Sequence, residues 1–394
     1  MPIRKHGGQW LVVVLCLMSF PLSAPAIVAA DGLNACGFRL LRALTLPGGA
    51  NPAISPASIG LAVGLAYLGS KGQTRAEIAR VFGWDRNNDT TVEQFLSTLS
   101  RTAELSSDQF NFKVGNSLWL DQSFTLDSVY QRMVEQQLGA AVKAIHFSSS
   151  EAADEINHWI SDRTAGQITD LIQPPLVPPL IIANAVYLKA SWRNPFDPQE
   201  SSVKPFHLPA GGTRQVTMMH VHAVFAYQKT AEWQAVALPY AGTDFVLRLI
   251  LPKNGVSIDS VLEELSRSSF EAATGEKETP VDLGLPKFRT DYRVSLNDSL
   301  RGLGMHKAFQ PNVADFSGIT RSAGRLYLAK VAHQAVLQID EAGTEAGAAT
   351  GIRVPGAMPP GFSVELIFDR PFVYFIQEAT SGTIWFAGAL LEPQ

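Results

Sequence analysis

The sequence predicts an α+β fold, with helices gathered in its first third and strands dominating the remainder. Three observations carry that prediction. Before residue 166, apolar residues recur at helical spacing behind capping signals. From residue 180 onward, runs rich in Val, Ile, Leu and aromatic residues are separated by Pro, Gly and acidic breaks. Of the 394 residues, 46% are hydrophobic and 17% charged, which supplies a large core and argues against disorder. Helices early and strands late favour segregated layers around large sheets.

Taken in order, the N-terminus reads as an export leader. "MPIRKH" supplies positive charge, "WLVVVLCLMSF" a short apolar run, and "APAIVAAD" small residues suited to cleavage after Ala30. The apolar run is too short to span a bilayer comfortably. Residues 31–394 then form one mature domain, secreted or otherwise exported, with periplasmic or cell-surface retention as variants of that reading. Removing residues 1–30 deletes Arg4 and Lys5 and no acidic residue, so the formal charge moves from −4 to −6. That balance lacks the basic field nucleic acid requires, and no later stop-transfer stretch suggests a membrane-bound mature form. Cys36 is the one cysteine left, so no internal disulfide forms and the fold depends on packing.

Ser55 is placed to cap a helix whose first residue is Pro56, where a missing N–H does no harm. Thr74 and Glu77 in "TRAE" stand at capping-box spacing, and a further start is expected over Thr90–Glu93. "FNFKVGNSLWL" has strand character. "SVYQRMVEQQLG" returns to helix with Gly139 as its stop, and the helix carrying Ile156, Trp159 and Ile160 on one face is expected to end at Gly166. "LIIANAVYLKASW", "AVALPY", "FVLRLILP", "VDLGLPKF", "RLYLAKVAHQAVLQID", "SVELIF", "PFVYFIQE" and "TIWFAGALL" follow as strands.

Enzyme signatures fail. There is no GxSxG elbow, HExxH pair or glycine-rich phosphate loop. His220 and His222 alternate along a strand-like run without a third ligand nearby, so neither metal nor cofactor is expected. Asp162 and Asp170 read as solvated or capping groups. His333, among apolar neighbours in "VAHQAV", reads as a satisfied core histidine joining strands.

The fragments "NPAISPASI", "GQTRAEI", "NAVYLKASWRNPF", "VTMMH", "VALPY", "LPKF", "VAHQAVLQIDEAGTEAGAAT" and "DRPFVYFI" occur in the order found in serpins, the serine-protease inhibitors. The chain resembles that family over nearly all of its mature length. The resemblance implies three β-sheets, about nine helices and an exposed reactive-centre loop at about 341–361. It implies an inhibitor rather than an enzyme, monomeric until a protease attacks the loop, after which the cleaved arm enters the central sheet. Glu341, Gly343, Thr344, Glu345, Ala346, Gly347, Ala348 and Ala349 match the hinge. Ser55, Ser58, Asn184 and His333 match the shutter, where polar contacts hold central strands together. Trp192 and the pair Lys287–Glu341 match the breach.

The ribbon itself supports insertion. Thr344, Ala346, Ala348, Thr350, Ile352 and Val354 share one strand face, while charged Glu345 and Arg353 share the other. Small inward residues ease passage between paired strands; an ordinary flexible loop is the alternative, and the hinge match favours insertion. The family's spacing of sixteen residues from Glu341 selects the Ala357–Met358 bond. Counting back from Pro359 selects Gly356, and loop variation leaves Met358 open. Ala357 suits an elastase-like or subtilisin-like serine protease; Arg353 or Met358 would shift the preference. Extra residues between Pro359 and Pro371 depart from the common inhibitory pattern. A cysteine protease is an alternative target, and a carrier, chaperone or structural role is the alternative function.

Overall fold

The computed structural model describes residues 24–45, 51–85, 88–267, 277–321, 326–344 and 364–393. Its helices are α1 (Ala24–Thr45), α2 (Pro56–Gly69), α3 (Gly72–Phe82), α4 (Asp89–Thr102), α5 (Ser128–Leu138), α6 (Ala152–Arg163), α7 (Ile258–Arg267) and α8 (Asn297–Gly302). The first strands are β1 (Ala53–Ile54), β2 (Phe110–Asp121), β3 (Ala141–Ile145), β4 (Leu180–Ser191), β5 (Ser202–His207), β6 (Thr213–Lys229), β7 (Trp233–Pro239) and β8 (Phe245–Pro252). The remainder are β9 (Lys277–Pro286), β10 (Phe288–Ser295), β11 (Leu328–Ile339), β12 (Gly343–Thr344), β13 (Val364–Ile367), β14 (Phe372–Glu378) and β15 (Ile384–Leu390).

Several elements follow from local chemistry. Ser55 caps α2, its Oγ accepting from the Ser58 N–H, and Pro56 opens the helix. Gly139 ends the helix before it in the left-handed conformation, as a residue without Cβ does cheaply. Three expected boundaries shift. α3 begins at Gly72, so Thr74 and Glu77 lie inside the helix and form no capping box. Both are buried: the Thr74 hydroxyl accepts from the Asp315 N–H, while the Glu77 carboxylate accepts from the His306 and Lys307 N–H groups and from Lys307 Nζ. Asn88, not Thr90, caps α4. α6 stops at Arg163 because the Thr164 hydroxyl donates back to the Ile160 carbonyl, three residues before Gly166 would be reached as its stop. The leader boundary expected at Ala30 falls within α1, where Ala29 and Ala30 are buried.

Six strands form one sheet in the order β10–β11–β12–β4–β2–β3, with β11 and β4 also paired directly. β4 is buried on both faces through most of its length, as a central strand must be. One face of this sheet joins the main core against α1, α2 and the other strands; the opposite face, through Trp119, Ala183, Ala185 and Tyr187, meets Ile156 and Ile160 of α6 in a second apolar cluster. The other nine strands form a single network, β1–β15–β14–β8–β7–β6–β9–β13, with β5 on β6. The separate second and third sheets of the family pattern are joined here by β6. Its Thr213–Met218 segment pairs β5, and its Ala226–Lys229 segment pairs β7. The described residues hold eight α-helices, and no described helix is long and apolar enough to cross a membrane.

Candidate functional site

The seam between β4 and β11 gathers most of the singled-out residues that are described. The two strands run parallel, paired from Leu328↔Leu180 to Val336↔Tyr187. Beyond Tyr187 they part, and β12 occupies the gap: Thr344 pairs with Ile339 on one side and Ala190 on the other, and Gly343 pairs with Ser191. Position 343 demands glycine, because a Cβ there would collide with the Ala190 carbonyl oxygen. The side chain of Thr344 is fully buried, and its hydroxyl shares a 2.6 Å hydrogen bond with the Tyr240 hydroxyl.

Around that wedge lies an aromatic and charged frame. Trp192 stacks on Tyr240 with centroids 4.7 Å apart and meets Phe196 edge-on. The Trp192 indole N–H donates to the Asp340 carbonyl, and its backbone N–H to the Ala342 carbonyl. The Asp340 carboxylate accepts from the N–H groups of Ala342 and Gly343, so it shapes the turn that delivers β12. Burial raises the Asp340 pKa above the usual carboxylate range despite those bonds. At Glu341 burial acts the same way, yet the hydrogen bond and charge of Lys287, with help from Ser201, outweigh it and hold the carboxyl below its ordinary value. Lys287 Nζ stands 2.9 Å from Glu341 Oε2, and Ser201 Oγ donates to Oε1 at 3.1 Å.

Halfway along the paired part of the seam, His333 lies opposite Asn184. The Ser55 N–H donates to His333 Nε2 at 3.1 Å, so Nε2 is an acceptor and the proton sits on Nδ1. Nδ1 then donates to Asn184 Oδ1. The Asn184 amide donates to Ser58 Oγ, the Ser58 carbonyl and Asn116 Oδ1. His333 has no exposure, and burial pushes its pKa down to about 3. Ser55, Ser58, Asn184 and His333 thus form one neutral, satisfied network that ties α2 to both seam strands.

Glu345, Ala346, Gly347, Ala348 and Ala349 of the hinge, the reactive-bond residues Ala357 and Met358, and the loop to residue 361 lie outside the described residues. Sequence reasoning missed Asn116, Ser201, Tyr240 and Asp340. Asp340 carried a signal, an acidic residue three positions before a glycine in a turn. The others act on partners far away in sequence, which the sequence does not display. Away from the seam, His222 Nδ1 is 3.9 Å from Asp282 Oδ1, and no group of three metal-type ligands occurs among the described residues. Asp170 pairs with Arg293, Asp162 is exposed, and burial pushes the Cys36 thiol up to about 12.

The model of the serpin (serine protease inhibitor) family matches residues 31–393. The chain is a serpin. An uncharacterised serpin-like protein of Thermococcus kodakarensis is 34% identical over 351 residues, covering 87% of this serpin and 81% of the relative. Antithrombin-III of Mus musculus is 31% identical over 356 residues, covering 86% of this serpin and 76% of the relative. The thermophilic serpin tengpin, solved in its native state, superposes with a TM-score of 0.86 over 95% of both chains at 23% identity, a likeness of fold alone. Serpins are typically protease inhibitors, not enzymes.

Proposed function

We propose that this serpin is an exported suicide inhibitor of an elastase-like or subtilisin-like serine protease, with Ala357 as bait. Its small side chain suits a shallow apolar pocket. The protease serine Oγ bonds to the Ala357 carbonyl carbon, the Ala357–Met358 C–N bond breaks, and the new amine of Met358 leaves with a proton. The arm from Thr344 then enters the seam with the enzyme still esterified to it. Fourteen extended residues reach about 46 Å, enough to drag the enzyme along the sheet and distort its oxyanion hole before water can hydrolyse the ester. Glu341 through Ala349 serve as the hinge; Ser55, Ser58, Asn184 and His333 resist early parting of β4 and β11; and Trp192, with Lys287 and Glu341, frames the point of first opening.

One observation carries this reading. β4 and β11 are paired along most of their shared length yet already parted at one end, where the chain leading into the ribbon lies between them. A sheet so arranged accepts a further strand by unzipping from that end. The small residues 346 to 349 offer no charge to the buried face. Removal of residues 1–30 fits a family match that begins at residue 31.

Incubation with pancreatic elastase or subtilisin tests the proposal. A complex surviving denaturation should form, and the released fragment should begin at Met358. Cleavage without complex across several serine and cysteine proteases would reject inhibition. A fragment beginning at Ala357 or Pro359 would keep inhibition and move the bond.

A further inference from the structure

Tyr240 belongs to the turn between β7 and β8 in the nine-stranded network, yet its hydroxyl reaches Thr344 in the six-stranded sheet at 2.6 Å. Neither side chain has any exposure, so no solvent substitutes for either partner. The tyrosine ring is held from two directions: it stacks on Trp192, and its backbone bridges Trp192 as an isolated pair. Burial drives the phenol pKa above its usual value, so the hydroxyl stays neutral at every physiological pH, and either it or the Thr344 hydroxyl donates the shared bond. β12 pairs on both sides, but a strand of two residues brings few backbone bonds of its own. A fixed external partner is what such a short strand needs to stay in place.

From these contacts we infer that Tyr240 is a positioning residue: its hydroxyl seats Thr344 and keeps β12 as the seed from which insertion spreads. The inference rests on the insertion reading above and adds a cause for its speed. With β12 seated, the next pair to break is Val336↔Tyr187, so the arm lengthens an existing strand and does not have to found a new one. Founding a new strand costs loop-closure entropy before any pairing repays it, whereas lengthening a seated one adds pairs step by step. The competition between insertion and ester hydrolysis then tilts toward the trapped complex. Releasing β12 removes that advantage without touching the bait.

Tyr240→Phe, Thr344→Val and the double variant decide the matter. Each single change leaves a buried hydroxyl unpartnered, whereas the double change replaces both partners with apolar groups of similar shape. Two readouts are taken. The first is hydrogen exchange at the Asp340 and Trp192 amides, which donate to the Gly343 and Ala342 carbonyls and so report seating without any protease. The second is the number of inhibitor molecules cleaved per complex formed with elastase or subtilisin. Each single variant should speed exchange and raise the cleaved-to-trapped ratio about fivefold, and the double variant should recover most of both. Unchanged exchange in Tyr240→Phe overturns the seating role. Faster exchange with an unchanged ratio overturns the seed role. If the unaltered protein forms no complex with any protease, the inhibitory reading falls, and exchange alone still decides whether Tyr240 seats β12.

Discussion

His333 accepts one hydrogen bond and donates another in a site without solvent, so its neutral form is built into the seam. Its folded pKa of about 3 lies below the ordinary 6.5, so the unfolded chain binds the proton more readily. The stability it contributes is complete above about pH 6.5 and declines as pH falls toward 3, at about 1.4 kcal/mol per unit. Urea unfolding at about pH 7 and about pH 5.5 should show the fall, and His333→Gln should show a shallower one. Equal slopes would mean that the imidazole is not held neutral. The polar network was legible in part. Family resemblance supplied Ser55, Ser58, Asn184 and His333, which contact one another across long stretches of sequence. Asn116 and Tyr240 were not legible, because they act on residues 68 and 104 positions away that only the folded chain brings near.

Between α3 and the loop at 306–315, the sequence misled for a physical reason. A capping box and a buried tether use the same residue types at the same spacing, and only the true start of the helix separates them. With α3 starting at Gly72, Glu77 points away from its own helix end and holds two backbone N–H groups of another segment. Glu77→Ala should therefore cost about 1–3 kcal/mol in denaturant unfolding, since those donors lose a charged acceptor, while the protease preference stays unchanged. β12 makes a sharper prediction. Thr344 is fully buried beside Tyr240, so Thr344→Arg must either drive a charge into the core or vacate the gap. The variant should be cleaved as fast as the parent and form far less complex, measured by denaturing electrophoresis after protease addition. An unchanged yield would put position 344 outside the path of insertion.

For the molecule as a whole, order along the chain announced the two populations of elements but not how they share one core. Helices come early, yet β2 and β3 also come early and pair with β4 in the same sheet as the late strands β10 and β11. The long β6 joins what the family pattern divides into two sheets, a consequence of strand length that composition does not reveal. What emerges is a seam polarised along its length: an aromatic frame and a seated pair of residues at one end, a neutral hydrogen-bonded network in the middle, and α6 covering one face. In its resting state the seam is paired along most of its length, with β12 between the strands where they part. Thermal unfolding of the intact protein and of protein cut once within the loop, followed side by side, addresses this most directly. The cut form should melt far above the intact one, its arm having completed the sheet between β4 and β11. Equal melting temperatures, with the arm still open to a second protease, would contradict it.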